Sequence, residues 1–154
     1  MKLTLAAIGV RGRTSAPSRG SAFEDLVEAY RERSAAFAEI ESVVFRSSQA
    51  FFDSLDRQKS RLGSILVLLD GRGKQLSSED LAKWLGRMRD EGQQRIVFAI
   101  GPADGWTGAD RQRATLLLSL GPMTLPHELA RVVLSEQVYR AFTILAGHPY
   151  HTGH

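Results

Sequence analysis

Residues 64–69 form a short run that is apolar on both faces and passes directly into the polar, glycine-rich segment 70–74. A strand of this kind is buried between two layers, because neither of its faces is suited to water. Four more segments have the length and the apolar content of strands: 2–10, 40–45, 95–100 and 115–120. Helical segments separate them, so the chain is predicted to be an α/β fold with a mostly parallel five-stranded sheet and helices on both faces.

Helices are predicted where apolar residues recur every three or four positions. In segment 22–36 the positions expected to face the core are Phe23, Leu26, Val27 and Tyr30. Segment 49–60 also has helical spacing, and a third helix is expected to follow the capping sequence 77–80. The last helix is predicted over 127–146, with the inward positions Leu129, Val132, Val133, Tyr139 and Phe142. Segment 70–74 is predicted to be a turn.

Composition narrows the class of protein. With 154 residues, 43% of them hydrophobic and 24% charged, the chain is the size of one compact domain spanning 1–154. It contains no cysteine, which excludes disulfides, thiolate zinc sites and cysteine nucleophiles. The segment 2–10 is interpreted as a buried strand rather than a secretion signal, and no apolar run reaches the roughly 18 residues that cross a bilayer. We therefore expect a cytoplasmic protein with no membrane segment.

The net charge of +3 is small, and its distribution is more informative than its size. One basic group consists of Lys2, Arg11, Arg13 and Arg19, and a second consists of Arg57, Lys59 and Arg61. These two basic clusters are explained equally well by contact with phosphate and by loops that are basic and simply exposed to solvent.

The predicted sheet places three loops at one edge. In open parallel sheets, ligands bind beyond the carboxyl ends of the strands, which here are the loops after Leu69, Ile100 and Leu120. Two common nucleotide sites are excluded by their motifs. The segment 70–75 is too short for a phosphate-binding loop and lacks its Ser or Thr, and the segment 9–12 does not have the glycine spacing of a dinucleotide fold.

All four histidines lie at or after position 127. A metal site is disfavoured, because no carboxylate or second histidine follows His127 at the spacing of one helical turn. A structural role for His127 in the first turn of a helix is favoured over catalysis. His148 and His151 flank Tyr150, an arrangement suited to stacking on a base and contacting phosphate, with a frayed terminus as the open alternative.

The carboxyl-terminal third has a specific pattern, with TLPHELARVVL at 124–134, EQVYRAF at 136–142 and HPYH at 148–151. Together with MKLTL at 1–5, it strongly resembles the bacterial pseudouridine N3-methyltransferases of large-subunit rRNA, the RlmH family of the SPOUT superfamily. Leu69-Asp70, Gly73-Lys74 and Ile100-Gly101 match upstream. The resemblance implies a homodimer that uses S-adenosylmethionine as the methyl donor. It also implies a trefoil knot within about 95–150, although knotted chains are rare exceptions among proteins.

The resemblance also implies the residues of the site. The expected donor-binding residues are Leu69, Gly101, Leu120, Gly121, Pro122, Met123, Thr124 and Leu125, in the same three loops that the predicted sheet selects. The expected substrate is N3 of a pseudouridine in 23S rRNA, in the ribosome at the subunit interface. His127 and His151 are candidate acceptors for the N3 proton. Arg131, Arg140, His148 and Tyr150 are candidate rRNA contacts, although the two arginines alternatively pair with Glu128 and Glu136. No metal is implied.

Three departures from the family pattern bear on function. Pro102 replaces the second glycine of a Gly-Gly pair and removes a backbone donor. Thr152 replaces a basic residue of the tail, and the segment 46–63 is shorter than usual. An alternative function is therefore a non-catalytic RNA- or ribosome-binding protein of the same fold with a decayed donor pocket. A flavodoxin-like small-molecule binder is a further alternative, disfavoured because no phosphate-binding loop follows the first strand.

Overall fold

The computed structural model describes residues 1–9, 21–58 and 63–152. It contains a five-stranded sheet in the order β2-β1-β4-β3-β5, and every pair of neighbouring strands is parallel. The strands are β1 (Lys2–Ile8), β2 (Glu39–Phe45), β3 (Ile65–Gln75), β4 (Arg95–Ile100) and β5 (Leu116–Ser119). The predicted fold class is therefore confirmed. Several basic residues and one histidine lie outside the described residues: Arg11, Arg13, Arg19, Lys59, Arg61 and His154.

Within the described residues, five α-helices connect and follow the strands: α1 (Ala22–Ser34), α2 (Ser48–Arg57), α3 (Ser78–Asp90), α4 (Gly108–Gln112) and α5 (His127–Leu145). A short 3-10 helix, Pro149–His151, ends the described chain. Each of the first four helices is preceded by a hydroxyl that accepts a hydrogen bond from the backbone N–H three residues later, at Ser21, Ser47, Ser77 and Thr107. The predicted cap at 77–80 is confirmed. Among the described residues, no helix is long and apolar enough to cross a membrane.

The two faces of the sheet have separate apolar cores. On one face, strand residues such as Leu3, Val67 and Phe98 pack with side chains of α3 and α5. On the other face, Ile8, Leu68 and Val97 pack with Phe51 and Phe52 of α2 and with Trp106. Because β1, β3 and β4 are covered on both sides, their apolar residues do not alternate with polar ones, which is why 64–69 is apolar throughout.

The prediction of a turn at 70–74 is wrong. β3 continues to Gln75, and it pairs with β5 both before and after an irregularity, with Leu69 and then Lys74 opposite Leu118. The glycines that suggested a turn instead permit this second pairing. A Cβ atom on Gly73 would lie 2.5 Å from the backbone carbonyl carbon and oxygen of Leu117, so only glycine allows the strands to approach this closely.

The predicted inward faces of two helices are partly wrong. Val27 of α1 is buried as expected, but Phe23 and Leu26 are exposed, Leu26 at 46%. On α5, Val132, Tyr139 and Phe142 are buried, whereas Leu129 is exposed. Helices α1 and α5 pack against each other, so each needs only part of its apolar surface for that contact. The helix α4 was not predicted, because five residues are too few to show a helical period.

Candidate functional site

The carboxyl ends of β4 and β5 surround a cavity of about 560 Å³ together with residues 69–71 of β3, where the pairing of β3 with β4 ends. This volume is within the usual range for small-molecule sites. All of the expected donor-binding residues line it: Leu69, Gly101, Leu120, Gly121, Pro122, Met123, Thr124 and Leu125. The three segments selected from the sequence therefore do converge on one space, which we call the strand-end cavity, although the first of them is part of β3 rather than a loop.

The β5–α5 loop forms one wall of the strand-end cavity. The Ser119 hydroxyl accepts a hydrogen bond from the Gly121 backbone N–H at 3.1 Å and lies at the same distance from the Gly121 carbonyl. Gly121 has a φ of +121°, which strongly favours glycine at this bend. Beyond the bend, Met123 is 81% exposed, although it lines the cavity. This wall thus presents apolar side chains on a backbone whose direction is fixed by Ser119.

Trp106 joins the other two loops, and sequence reasoning did not identify it. Its side chain is buried, and its indole N–H donates to the Leu69 carbonyl at 3.0 Å. A Cβ atom on Gly101 would lie 2.9 Å from the indole ring, so the absence of a side chain at 101 allows the ring to sit there. Trp106 therefore connects β3 at Leu69 with the end of β4 at Gly101.

Pro102 lines the strand-end cavity without closing it. Its carbonyl accepts a hydrogen bond from the Gly105 N–H at 2.8 Å, which closes a tight turn over 102–105. Gly105 has a φ of +82°, as expected of glycine in such a turn. The proline thus stiffens this loop, while Gly101 and Pro102 both line the cavity.

An ion pair between Asp70 and Arg111 lies in the wall of the strand-end cavity. Arg111 Nε donates to Asp70 Oδ2 at 2.7 Å, and the Arg72 backbone N–H donates to Asp70 Oδ1 at 2.8 Å. The Asp70 side chain is 7% exposed and the Arg111 side chain is 22% exposed. Burial alone would raise the pKa of Asp70, but the hydrogen bonds from Arg111 and Arg72 outweigh it and hold this pKa below its ordinary value. Asp70 is therefore ionised at neutral pH.

His127 is the first residue of α5 and also lines the strand-end cavity. Both ring nitrogens are buried, and among the described residues neither has a hydrogen-bond partner of good geometry. Burial lowers the pKa of His127, and the charge of Arg131 lowers it further, while the nearby backbone of Gly101 and Ile8 opposes this shift without reversing it. The imidazole is therefore neutral at pH 7 and able to accept a proton.

The two candidate arginines have acidic partners. Arg131 Nη1 donates to Glu24 at 2.6 Å, and its other terminal nitrogen donates to Ser42 at 3.2 Å, so α5 is joined to α1 and β2. The Arg131 side chain is only 11% exposed. Arg140 donates to Glu136 at 2.6 Å, as the helical pairing alternative predicted. The sequence suggested Glu128 as the acidic partner of Arg131, whereas the guanidinium of Arg131 donates hydrogen bonds to Glu24 and Ser42.

The tail folds back onto α5 rather than fraying. The Tyr150 hydroxyl donates to Glu136 at 3.0 Å. His151 lies 2.9 Å from Arg140 through Nδ1 and 2.6 Å from Glu79 through Nε2. Since arginine only donates, Nδ1 accepts and Nε2 carries the proton. Arg140, Tyr150 and His151 thus form one cluster with His148, whose ring caps the final turn, and none of these residues lines the strand-end cavity of the same chain.

The described residues contain no group of three or more histidine, aspartate or glutamate side chains placed to hold a metal ion. Sequence reasoning found the three loops and His127, but it missed Asp70, Trp106 and Arg111. One signal was available: Thr107 and Asp110 form a capping box that marks the start of α4, the helix that carries Arg111. Nothing in the sequence pointed to the contact between Trp106 and Leu69.

Comparison with known proteins shows which family the chain is similar to. A family profile described as "Predicted SPOUT methyltransferase" matches residues 1–151. The chain is 50% identical over 137 residues to the ribosomal RNA large subunit methyltransferase H of Koribacter versatilis (strain Ellin345), covering 89% of this chain and 93% of that protein. It is 42% identical over 165 residues to the protein of the same name from Mesorhizobium japonicum, covering 98% of this chain and 99% of that protein.

A solved structure has a similar fold. It is the structure of a probable methylase family protein from Haemophilus influenzae Rd KW20, with a TM-score of 0.53 and 11% sequence identity. The match covers 99% of this chain and 70% of that chain. At this identity the likeness concerns the fold alone.

Proposed function

This chain belongs to the SPOUT methyltransferase family, and we propose that it transfers a methyl group from S-adenosylmethionine to N3 of a pseudouridine in 23S rRNA. The observation that carries the proposal is the strand-end cavity, in which the three loops implied by the family resemblance meet. The large-subunit rRNA substrate is supported by the names of the two relatives that match nearly the whole chain. We further propose that the protein acts in the cytoplasm, on the ribosome.

The residues of the strand-end cavity fit the proposed donor. Leu69, Leu120 and Leu125 offer an apolar slot for an adenosine group, and the absence of a side chain at Gly101 allows the Trp106 ring to pack in the wall beside it. When bound, S-adenosylmethionine supplies an electrophilic methyl group. The protein's own contribution is then to hold the two reactants in line, and positioning of this kind supplies a large share of the rate in transfer reactions.

The N3 atom of pseudouridine carries a proton that has to leave when a methyl group is added. We assign His127 as its acceptor, because His127 lines the strand-end cavity and burial keeps its imidazole neutral. His151, the other candidate, hydrogen bonds to Glu79 and Arg140 and lies outside the cavity lining of its own chain. Its proposed role in proton transfer is therefore the weaker of the two.

The rRNA contacts are proposed on the tail and on α5. Arg140, His148 and Tyr150 lie together, with the Arg140 guanidinium 4.9 Å from the centre of the Tyr150 ring. Basic and aromatic side chains in this arrangement suit phosphate contact and base stacking. Arg131 and Arg140 are both mostly buried and both already have hydrogen-bond partners. Arg131 is the weaker candidate, because its partners are Glu24 and Ser42 rather than residues of the tail.

We also propose that the protein is a homodimer. Apolar side chains that are exposed in the single chain lie on α1, on α5 and in the β5–α5 loop: Phe23, Leu26, Leu129 and Met123. Exposed apolar residues concentrated on helices that pack together are typical of a surface that another chain covers.

Calorimetric titration and methyl transfer together test the proposal. The protein is titrated with S-adenosylmethionine, and binding in the micromolar range is expected. Transfer of labelled methyl from the donor is then measured with 70S ribosomes carrying the unmethylated pseudouridine, and with ribosomes that carry uridine at that position as the control. Ribosome binding without donor binding would instead support the non-catalytic alternative, in which the donor pocket has decayed.

A further inference from the structure

We propose that Arg111 recognises the carboxylate of the donor's amino-acid portion, so that the strand-end cavity distinguishes S-adenosylmethionine from adenosine derivatives that lack this group. The inference rests on the proposed function, and it assigns a role to a residue outside the three donor loops. It follows from where Arg111 lies, from how its guanidinium is fixed and from which of its nitrogens remain available.

Arg111 is the sole arginine or lysine among the described residues that line the strand-end cavity. The remaining walls are mostly apolar or are glycine and proline backbone, and the other ionisable side chains there are Asp70 and His127. Because His127 is neutral at pH 7, Arg111 is the cation available in this lining to a carboxylate entering the cavity. A carboxylate placed in an apolar pocket without such a partner loses its hydration at high cost.

The Arg111 guanidinium is held in place by neighbours on both sides. Its Nε donates to Asp70, and Asp70 is itself fixed by the Arg72 backbone. At its other end, the residue stands on α4, whose start is set by the reciprocal hydrogen bonds of Thr107 and Asp110 at 3.1 and 3.0 Å. A guanidinium ordered in advance loses less side-chain entropy when a ligand binds.

The pairing with Asp70 uses only one of the five N–H groups of the guanidinium. In the part of the chain that the structure describes, the terminal nitrogens Nη1 and Nη2 make no hydrogen bond, and the side chain is 22% exposed. Two parallel N–H groups on a planar fork match the two oxygens of a carboxylate. Asp70 beside it carries the opposite charge, so the pair as a whole complements a zwitterionic amino acid rather than a simple anion.

A pair of ligands isolates this contact. S-adenosylhomocysteine carries the amino-acid portion, whereas 5′-methylthioadenosine has the same nucleoside and sulfur without it. Calorimetric dissociation constants are measured for both ligands with the wild type, with Arg111→Gln and with the control Arg113→Gln. Arg113 stands on the same side of the sheet next to α4, but it pairs with Asp56 at 2.7 Å and does not line the strand-end cavity.

We expect Arg111→Gln to weaken S-adenosylhomocysteine about tenfold or more, because a charge-assisted hydrogen bond is lost, and to change 5′-methylthioadenosine less than twofold. Arg113→Gln is expected to leave both constants unchanged. An equal loss for the two ligands in Arg111→Gln would overturn the inference, since it would mean that the residue only maintains the shape of the cavity.

A measurement on the unaltered protein covers the case in which Arg111→Gln does not fold. The wild type is titrated with S-adenosylhomocysteine and with its carboxamide, which keeps the size of the group and removes its charge. The carboxamide is expected to bind about tenfold more weakly, and equal affinities would refute the role of Arg111. If neither S-adenosylhomocysteine nor 5′-methylthioadenosine binds the wild type, the proposed function itself fails, and this inference fails with it.

Discussion

At the scale of single residues, the site depends on what surrounds each group. The first helical turn of α5 was visible in the sequence, and so was His127, but the burial that keeps its imidazole neutral was not. The backbone groups of Ile8 and Gly101, which act on the same pKa in the opposite direction, also lie far away along the chain. A sequence shows which group is present, whereas its pKa is set by neighbours that only the fold supplies.

Replacing His127 tests its role as proton acceptor. We expect His127→Gln to lower the rate of methyl transfer about 100-fold, a typical effect of losing a general base. Because burial holds the folded-state pKa of His127 below its ordinary value of 6.5, the wild-type rate should stay constant as the pH falls to about 6.5 and decrease only below that. Single-turnover rates on ribosomes between pH 5 and 9 check this. An unchanged rate and profile in His127→Gln would reject the role.

We predict that donor binding requires the absence of a side chain at Gly101. In Gly101→Ala the new Cβ would lie 2.9 Å from the Trp106 ring. The ring cannot move easily, because it packs against Phe51 and Phe52 and its N–H is hydrogen-bonded to the Leu69 carbonyl. We expect donor affinity to fall about tenfold or more. Gly108→Ala is the matched control, because a Cβ there meets nothing within 4 Å. Calorimetric titration of both variants with S-adenosylmethionine makes the comparison, and similar losses in the two would contradict the prediction.

At the scale of elements, five strands and four of the five helices could be predicted, because each is long enough to show its period. The errors occurred where a local pattern has two solutions. The segment 70–74 has the glycines of a turn, and it also has the glycines that a close strand pairing requires. The segment is a strand because β3 pairs with β5, and more than 40 residues of chain lie between the paired positions. The ion pair of Asp70 with Arg111, 41 positions apart, was hidden for the same reason.

The extended pairing of β3 predicts unequal effects of two neighbouring glycines. Gly73→Ala places a Cβ 2.5 Å from the Leu117 backbone, which cannot move aside as a flexible side chain would. We expect it to lower the free energy of unfolding by about 2 kcal/mol or more. Gly71→Ala meets nothing within 4 Å and has no positive φ, so it should change stability little. Urea unfolding followed by circular dichroism separates the two, and equal stability would argue against the observed register.

At the scale of the whole molecule, the strand-end cavity could be predicted because parallel strands bring their carboxyl ends to one edge. The residues 120–125 were additionally specified by the family resemblance. The trefoil knot, which the family resemblance implies, and the single-domain organisation, which the chain length suggests, remain predictions. The dimer is a different case. A pattern of apolar residues does not distinguish a helix face buried in its own core from one that a partner covers, and Phe23, Leu26 and Leu129 were therefore all assigned to the core.

Charge on that exposed face is expected to separate the dimer. Leu26 is 46% exposed on α1, so Leu26→Glu should leave the fold of the single chain nearly intact, whereas a carboxylate inside an apolar interface would lose its hydration. We expect the dimer dissociation constant to rise about tenfold or more, measured by sedimentation equilibrium. Gln58→Glu is the control, because it adds the same charge at the exposed end of α2, which packs on the opposite face of the sheet. If Leu26→Glu sediments as the wild type does, the partner surface lies elsewhere. A wild type that is monomeric at micromolar concentration would refute the dimer itself.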